Sequence, residues 1–421
     1  MLPLILFYLV LTIIRPQDYL AGLASVPLLP LVLVLALVTW LGSRHKTFAA
    51  PHFYLLPVFL LALMMSEIAN HWIGGAIEQF SDFSTVVVAF FILATATSVG
   101  RRELRLALGV LVLCACVLAL HGVDQTRYGV GWTGMTLSEG GRIQYVGIFN
   151  DPNDLGLLFV TALPMAIYLR SLSGFLMRQF WLAGAGLLVY GIYLTNSRGA
   201  MLALLVEGGV YVWMRRGMIT AGVLGVIGLS VMKLLSSRMQ ELDADEDSAM
   251  GRVDAWYEGL HMFTSHPLFG VGAGNFTDYN YLTAHNSFVL VLAETGLFGY
   301  ITWLAFVGYS FWLMLAIVRH QPPGTADAIV VADAKAEKAL ATTLLLSLCG
   351  MFAAAFFLSR SYTIILYLVI AVVVGQYVGA RKRLPGLRAV SLAASWWVWI
   401  PAALGSIVFF FLLVAVLLHS A

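Results

Sequence analysis

Residues 361–379 read SYTIILYLVIAVVVGQYVG and contain no charged side chain. As a helix, an apolar run of about 20 residues is long enough to cross a hydrocarbon core of roughly 30 Å. Similar runs recur along the whole chain, which is 60% hydrophobic and only 11% charged, whereas soluble domains carry roughly 25% charged residues. The sequence therefore predicts an all-α polytopic membrane protein and excludes a soluble globular domain.

About twelve or thirteen runs are long and apolar enough to count as predicted spans. The first is short and lies where a signal peptide would, but it lacks a basic start and a small-residue cleavage site before Arg15, so we expect a retained helix. The predicted spans lie near 2–14, 26–42, 52–66, 83–99, 104–121, 155–170, 180–196, 199–214, 218–235, 286–318, 339–358, 361–379 and 396–418.

Charge is distributed unevenly between the two sets of alternate loops. One set holds sixteen of the 24 lysines and arginines, while 18 of the 22 acidic residues lie on the opposite side or in the spans. Because basic loops stay in the cytoplasm, the other loops are predicted to face outward. The side of the C-terminus stays open, since twelve spans and thirteen spans place it on opposite sides.

Two outward loops are long, and they divide the chain into three parts. We expect N-terminal transmembrane helices over 1–235, which include the outer loop 122–154. A large periplasmic loop, predicted to be catalytic, covers 236–285, and C-terminal transmembrane helices cover 286–421. Function is predicted to lie in these two loops, because only they have room to fold outside the membrane.

The second outer loop opens with an acidic run between Glu241 and Asp247. Its carboxylates are not spaced as a calcium loop requires, so a solvated surface is the expected role and no metal site is predicted. The loop continues with Gly270, Gly272 and Gly274. Backbone at glycine can approach a ligand closely, which makes this turn a candidate ligand contact and a candidate lid.

His285 stands where the second outer loop meets the next span. A histidine at the boundary of water and hydrocarbon can take a proton from a hydroxyl near neutral pH. The simpler alternative is an interfacial histidine that caps the helix. Glu294, a possible proton carrier like Glu207, lies nine residues beyond His285 and therefore faces away from it on a continuous helix.

Four arginines on the outer side are candidates to bind an anion. Arg198 lies in a hairpin between two apolar spans, where an arginine is costly and usually has an anionic partner; snorkelling to the interface is the alternative. Arg142, Arg252 and Arg360 fall on the same side. Guanidinium groups can form bidentate hydrogen bonds to phosphate oxygens, so a diphosphate is the predicted ligand.

The first outer loop ends with FNDPND at 149–154, directly before an apolar span. This pattern is typical of a turn followed by a helix start, and helix capping is its simplest explanation.

Taken in order, several short motifs resemble those of the O-antigen ligase and polymerase superfamily, and within it most of all those of the lipopolysaccharide O-antigen ligases. They are GIFNDPN after Arg142, TNSRG at 195–199, GRVDAW at 251–256, PLFGVGAG at 267–274, AHN at 284–286 and ETGL at 294–297. The resemblance covers most of the chain, from the many spans to the large outer loop.

The resemblance implies a metal-independent and cofactor-independent glycosyltransferase of the membrane-embedded GT-C kind, in the inner membrane of a bacterium, with its active site facing the periplasm. Its donor would be O-antigen on undecaprenyl pyrophosphate and its acceptor the lipid A-core oligosaccharide; no nucleic acid is expected to bind. The essential histidine of the family corresponds to His285, and its two key arginines correspond to Arg198 and Arg252. Arg142, Asn153 and Asn286 are expected to bind substrate, and Arg360 is added to them from the predicted topology alone.

Three alternatives remain open at the level of sequence. An O-antigen polymerase or a protein O-oligosaccharyltransferase of the same superfamily would use the same donor with another acceptor. A secondary transporter would also have about twelve spans, intramembrane carboxylates and glycine-broken helices. Against a transporter, the polar residues concentrate in the outer loops rather than at the middle of the spans.

Overall fold

The computed structural model describes residues 1–235, 242–323 and 327–420, with the backbone alone at 233–235, 242–249 and 420. These residues form helices joined by turns and by a few longer segments, among them 129–151 and 266–286. The helices are α1 (Leu2–Ile14), α2 (Leu28–Leu41), α3 (His52–Ala69), α4 (Ile73–Thr97), α5 (Arg101–Tyr128), α6 (Pro152–Leu172), α7 (Phe175–Thr195), α8 (Arg198–Arg216), α9 (Met218–Leu235), α10 (Leu242–Ser265), α11 (Phe276–Tyr279), α12 (Ser287–Arg319), α13 (Ala328–Ala355), α14 (Ile364–Arg383), α15 (Leu392–Ser395) and α16 (Trp399–Ser420).

Every predicted span coincides with a helix, which confirms the all-α polytopic membrane fold. Within the described residues, nine helices are long and apolar enough to cross a membrane: α3 to α7, α12 to α14, and the run 392–419 that ends in α16. The apolar helices α1 and α2 are shorter, as is Met218–Met232, the part of α9 whose side chains are described. With 13 residues, α1 is about 20 Å long and does not cross the hydrocarbon core by itself.

The two ends of the helical bundle carry different charged groups. At one end, Arg101 at the start of α5 pairs with Glu337 at 2.7 Å and with Asp333 at 2.8 Å, and Arg383 at the end of α14 pairs with the same Glu337 at 2.6 Å. The Glu337 side chain is fully buried. We call this the basic end, because it gathers residues from loops that the charge distribution assigns to the cytoplasm.

The segment predicted to be the large outer loop is largely helical in its described part. Helix α10 occupies much of 236–285, and it contacts α12 and α16. The acidic run at 241–247 lies outside the residues whose side chains are described.

The glycine-rich turn after α10 fills a break in α12. Gly296 has φ 59° and ψ −161°, which interrupts the helical ladder. Backbone groups on either side of the break bond to the turn: Val271 N–H donates to the carbonyl of Ala293 at 3.0 Å, and Leu297 N–H donates to the carbonyl of Pro267 at 2.9 Å. The broken helix therefore leaves these backbone groups satisfied, as burial requires.

The glycines of this turn serve the contact with α12. A side chain at Gly270 would come within 2.2 Å of the backbone of Glu294. The turn is also fixed from the other side, since Asn70 in the loop after α3 donates to the carbonyl of Gly270 at 2.9 Å and Gln79 of α4 to that of Ala273 at 2.8 Å. The glycines permit close packing of backbone on backbone, and a role of this turn as a lid stays a prediction.

Gly296→Ala is expected to destabilise the protein by about 3 kcal/mol. The φ and ψ of Gly296 are essentially restricted to glycine, and a Cβ there would lie 2.5 Å from the backbone of Leu268. Gly186→Ala is the control, because nothing lies within 4 Å of a Cβ at that position in α7. Unfolding of the purified protein in mixed micelles measures both variants, and equal stability of the two would contradict the role given to Gly296.

Candidate functional site

A cavity of about 320 Å³ lies at the end of the bundle away from the basic end. Five parts of the chain meet there: the end of the first outer loop with the start of α6, the turn between α7 and α8, the middle of α10, the approach to α12, and the turn between α13 and α14. The lining consists of Arg142, Asn153, Asn196, Ser197, Arg198, Gly199, Ala200, Gly251, Arg252, Tyr281, Leu282, His285, Phe357 and Leu358. Three of the four predicted arginines and the predicted histidine therefore share one cavity.

Arg198 is the first residue of α8. Helix α7 ends at Thr195, and its C-cap Asn196 is left-handed with φ 44°. The hydroxyl of Ser197 caps α8 by accepting from Ala200 N–H at 3.3 Å. This tight turn places the guanidinium at the cavity wall. It also directs the N-terminus of α8 toward the cavity, and a helix N-terminus carries a partial positive charge that favours anions.

Arg142 is oriented by the same turn. Its Nε donates to the carbonyl of Thr195 at 2.9 Å, and its Nη2 donates to Oδ1 of Asn153, also at 2.9 Å. The Ser197 hydroxyl donates to that Oδ1 at 2.6 Å, and Nδ2 of Asn153 donates to Asp151 at 2.8 Å. Asn153 is therefore the junction that ties the first outer loop to the α7–α8 turn, which sets the position of Arg142.

The predicted helix start after the first outer loop is confirmed. Asp151 is the N-cap of α6 and accepts from the backbone N–H of Asn153 at 2.8 Å. The capping interpretation of 149–154 is therefore correct, and the same segment also supplies Asn153 to the cavity.

His285 is held in an unusual backbone conformation beside the cavity. Its φ is 46°, and the carbonyl of the preceding Ala284 accepts from the indole Nε1 of Trp256 at 2.9 Å. Trp256 lies on α10, four residues and hence about one turn after Arg252. The indole thus links the helix that carries Arg252 to the loop that carries His285.

The imidazole of His285 is poised in its neutral form. Burial lowers its pKa below the ordinary value of 6.5, and the positive charges of Arg252 and Arg360 lower it further, against an opposing effect of Asp151. A neutral imidazole at neutral pH has a free lone pair and can accept a proton.

Arg360 stands apart from the other three arginines. Its Nη2 bonds Oδ2 of Asp154 at 2.7 Å, and its Nε bonds the other oxygen of that carboxylate. The pair lines a separate crevice of about 20 Å³. Four arginines were predicted to bind one anion, but only three of them line the cavity. The fourth, Arg360, pairs with Asp154 instead. The sequence analysis had placed Asp154 only in a helix start.

Asn286 is placed differently from what its predicted role requires. The side chain is fully buried, and its Oδ1 caps α12 by accepting from the N–H groups of Phe288 at 2.9 Å and Val289 at 3.1 Å. It does not line the cavity. Its capping fixes the start of α12 directly after His285, so the structure gives Asn286 a supporting position.

The two intramembrane carboxylates singled out in the sequence lie away from the cavity. Oε1 of Glu294 accepts from Phe276 N–H at 3.2 Å beneath the glycine-rich turn. Glu207 is buried in α8 near Gly350 of α13. Neither lines the site, which agrees with the expectation that Glu294 faces away from His285.

Sequence analysis did not single out Tyr281, Phe357 or Leu358 as part of the site. Tyr281 is 82% exposed yet lines the cavity, and no spacing or motif marks it. Leu358 lies at the cavity because its carbonyl accepts from the hydroxyl of Ser287 at 2.6 Å. This bond holds the α13–α14 turn against the start of α12. Long-range contacts such as this one reveal that the turn belongs to the site.

Comparison with protein families agrees with the motifs. Residues 183–304 match the family model described as O-Antigen ligase. The matched region contains Arg198, Arg252, His285 and the glycine-rich turn. No curated protein matches the chain. The match supports the O-antigen ligase and polymerase superfamily for this multi-pass membrane protein, and with it a glycosyltransferase-like activity.

Trp256→Phe is expected to lower the turnover number for glycan transfer about fivefold to tenfold and to leave KM nearly unchanged. The substitution removes one hydrogen bond, with a net contribution of roughly 1 kcal/mol. An aromatic ring at this position can still pack on Phe356, whose ring centroid lies 5.7 Å from that of Trp256. Trp181→Phe in α7, which does not line the cavity, is the control. An unchanged turnover number for Trp256→Phe, measured on folded protein, would show that this bond does not position His285.

Proposed function

We propose that this member of the superfamily is an O-antigen ligase. It would transfer O-antigen polysaccharide from undecaprenyl pyrophosphate to the lipid A-core oligosaccharide, at the periplasmic face of a bacterial inner membrane. The observation that supports this most directly is one cavity lined by Arg142, Arg198, Arg252 and His285, within or beside the region that matches the family. Three cations and one neutral base suit transfer from a diphosphate to a hydroxyl.

The arginines are assigned to the pyrophosphate. Breaking the bond between the anomeric carbon and the diphosphate oxygen moves an electron pair onto the leaving group. Guanidinium groups fixed in place before the reaction stabilise that charge more than mobile water does, because they need no reorganisation. The bonds from Arg142 to Thr195 and Asn153 provide this fixing, and the N-terminus of α8 adds its dipole.

His285 is assigned as the general base. The neutral imidazole accepts the proton of the acceptor hydroxyl while that oxygen forms its bond to the anomeric carbon. The carbon–oxygen bond to the diphosphate breaks on the opposite face, so one displacement inverts the configuration. The products are the glycosylated acceptor, undecaprenyl pyrophosphate and a protonated His285, which returns its proton to water.

The orientation of the site follows from charge. The cavity lies opposite the basic end, and the positive-inside rule assigns the basic end to the cytoplasm. A site on the other side faces the periplasm. Because both the donor and the acceptor are lipids, we expect them to reach the cavity sideways from the outer leaflet.

Two related functions use the same donor and would use the same residues. An O-antigen polymerase would extend the lipid-linked chain, and a protein O-oligosaccharyltransferase would glycosylate a polypeptide. A deletion strain distinguishes the three functions. Loss of a ligase leaves bare core and accumulates lipid-linked polymer, whereas loss of a polymerase leaves lipopolysaccharide with a single repeat. Loss of a protein O-oligosaccharyltransferase removes a protein glycoform. A transporter is disfavoured, because the cavity lies at one end of the bundle rather than at its middle.

His285→Ala is expected to reduce transfer by about 10² to 10⁴-fold, the usual contribution of a general base. Arg252→Ala is expected to reduce it by about 10² to 10³-fold, the usual loss when one group that stabilises developing charge is removed. Transfer is measured with purified protein, lipid-linked glycan and lipid A-core acceptor.

The matched controls are His266→Ala and Arg127→Ala. Both are exposed residues on the same side of the protein, and neither lines the cavity, so each should transfer at the wild-type rate. Wild-type transfer by folded His285→Ala protein would reject the assignment of the base. Product formed on lipid-linked glycan alone, without acceptor, would instead favour the polymerase.

Activity is expected to fall as the pH drops below 6.5, because protonation removes the lone pair of His285. The midpoint of this fall should lie below 6.5, since burial, Arg252 and Arg360 lower the pKa of the imidazole. Asp151→Asn should move the midpoint to still lower pH, because it removes the carboxylate that raises this pKa and asparagine still caps α6. Asp254→Asn, exposed on α10, is the control, and the same shift in both variants would contradict the assignment.

A further inference from the structure

Two large grooves lie near the basic end, far from the cavity. The first, of about 770 Å³, runs between the start of α3, the middle of α12 and Trp396, and Arg381 is the charged residue that lines it. The second, of about 890 Å³, runs along the last turns of α12, where Trp312, Arg319 and Arg388 line it. Residues 389–391 line both grooves and form a ridge between them.

The ridge has a fixed position. The hydroxyl of Tyr377 on α14 accepts from Val390 N–H at 2.7 Å and donates to the carbonyl of Arg388 at 3.2 Å. Beyond the ridge, the hydroxyls of Tyr309 and Ser395 lie 2.7 Å apart. The grooves are therefore built by defined contacts.

The charge of the grooves has one sign. Arg319 ends α12 and Arg381 lies in the last turn of α14, so both stand where their helices end and the solvent begins. Arg388 is exposed on the segment between α14 and α15. Among the described residues, neither lining includes an aspartate or a glutamate. The grooves therefore complement an anion.

The walls below these arginines are apolar. Leu55, Val58 and Ile301 line the first groove, and Phe311 and Leu315 line the second. Tryptophan is enriched where hydrocarbon meets the polar headgroups, and Trp312, Trp396 and Trp399 stand along the two grooves. The site thus combines cations at the surface with hydrocarbon-like walls beneath them.

We propose that the two grooves bind an anionic phospholipid of the leaflet at the basic end. Its phosphate contacts Arg319, Arg381 and Arg388, and its acyl chains lie along the apolar walls. Juxtamembrane arginines attract the anionic lipids of the cytoplasmic leaflet. The grooves provide a binding site for such a lipid. The proposal is independent of the glycosyltransfer reaction, which takes place at the other end.

The bound lipid would also support the last helix. Trp399 begins α16, lines the first groove and packs against Tyr309 at 4.9 Å between ring centroids. Elsewhere α16 is largely exposed, since only 22% of its span is buried. A lipid in the groove adds contact area where the helix has few protein contacts.

Native mass spectrometry of the purified protein with added phosphatidylglycerol tests the proposal. We expect the wild-type protein to retain phosphatidylglycerol at least tenfold more strongly than phosphatidylcholine. The double variant Arg319→Gln/Arg388→Gln should lose about tenfold or more of this retention, because each arginine near the surface contributes to attraction of the anion. Both residues are exposed, so the variant is expected to fold.

The matched control removes the same charge elsewhere at the same end. Arg102→Gln/Arg178→Gln alters two exposed arginines that line neither groove, and it should retain the lipid as the wild type does. An equal loss in both double variants, or equal retention of phosphatidylcholine, would overturn the proposal in favour of non-specific attraction. Displacement of phosphatidylglycerol by millimolar inorganic phosphate would show a phosphate site instead and would likewise overturn it.

Discussion

The pairing of the glycine-rich turn with the broken helix α12 is the contact on which the half of the bundle that carries the cavity depends. Gly272 N–H donates to the carbonyl of Glu294 at 3.1 Å, and Phe298 N–H donates to the carbonyl of Leu268 at 3.2 Å. These bonds fix the end of α10 against α12. Arg252 lies on α10, before the turn, and His285 lies after it, directly before α12, so these backbone bonds help to set the distance between the two residues.

Several arginines lie in or near the cavity, and they differ in the groups that they bond. Arg360 pairs with Asp154, whereas two of the bonds that orient Arg142 go to neutral groups, a backbone carbonyl and the amide oxygen of Asn153. Neutral partners orient a guanidinium without cancelling its charge. Arg360 does not line the cavity, but its positive charge is among the causes that lower the pKa of His285.

The two ends of the bundle use arginine for different purposes. At the basic end, Arg101 and Arg383 converge on one buried carboxylate, Glu337, and join α5, α13 and α14. At the other end, three arginines line the cavity of about 320 Å³. Buried ion pairs are sensitive to the loss of either partner, so the first arrangement secures helix packing, and the second favours the charge of a substrate.

The amino-acid sequence by itself determined the helical membrane fold, the unequal charge of the two sides and the identity of Arg198, Arg252 and His285 as candidates. Apolar length, loop charge and short motifs are local properties, so they can be recognised without knowledge of contacts. The tertiary structure alone decided which groups share the cavity. Arg360 and Asp154 are 206 residues apart in the chain, and no local pattern reveals that one neutralises the other. The burial of Asn286 as a helix cap and the backbone packing of Gly270 likewise depend on segments that meet only after folding, because hydrogen bonds and close contacts are decided by distance in space.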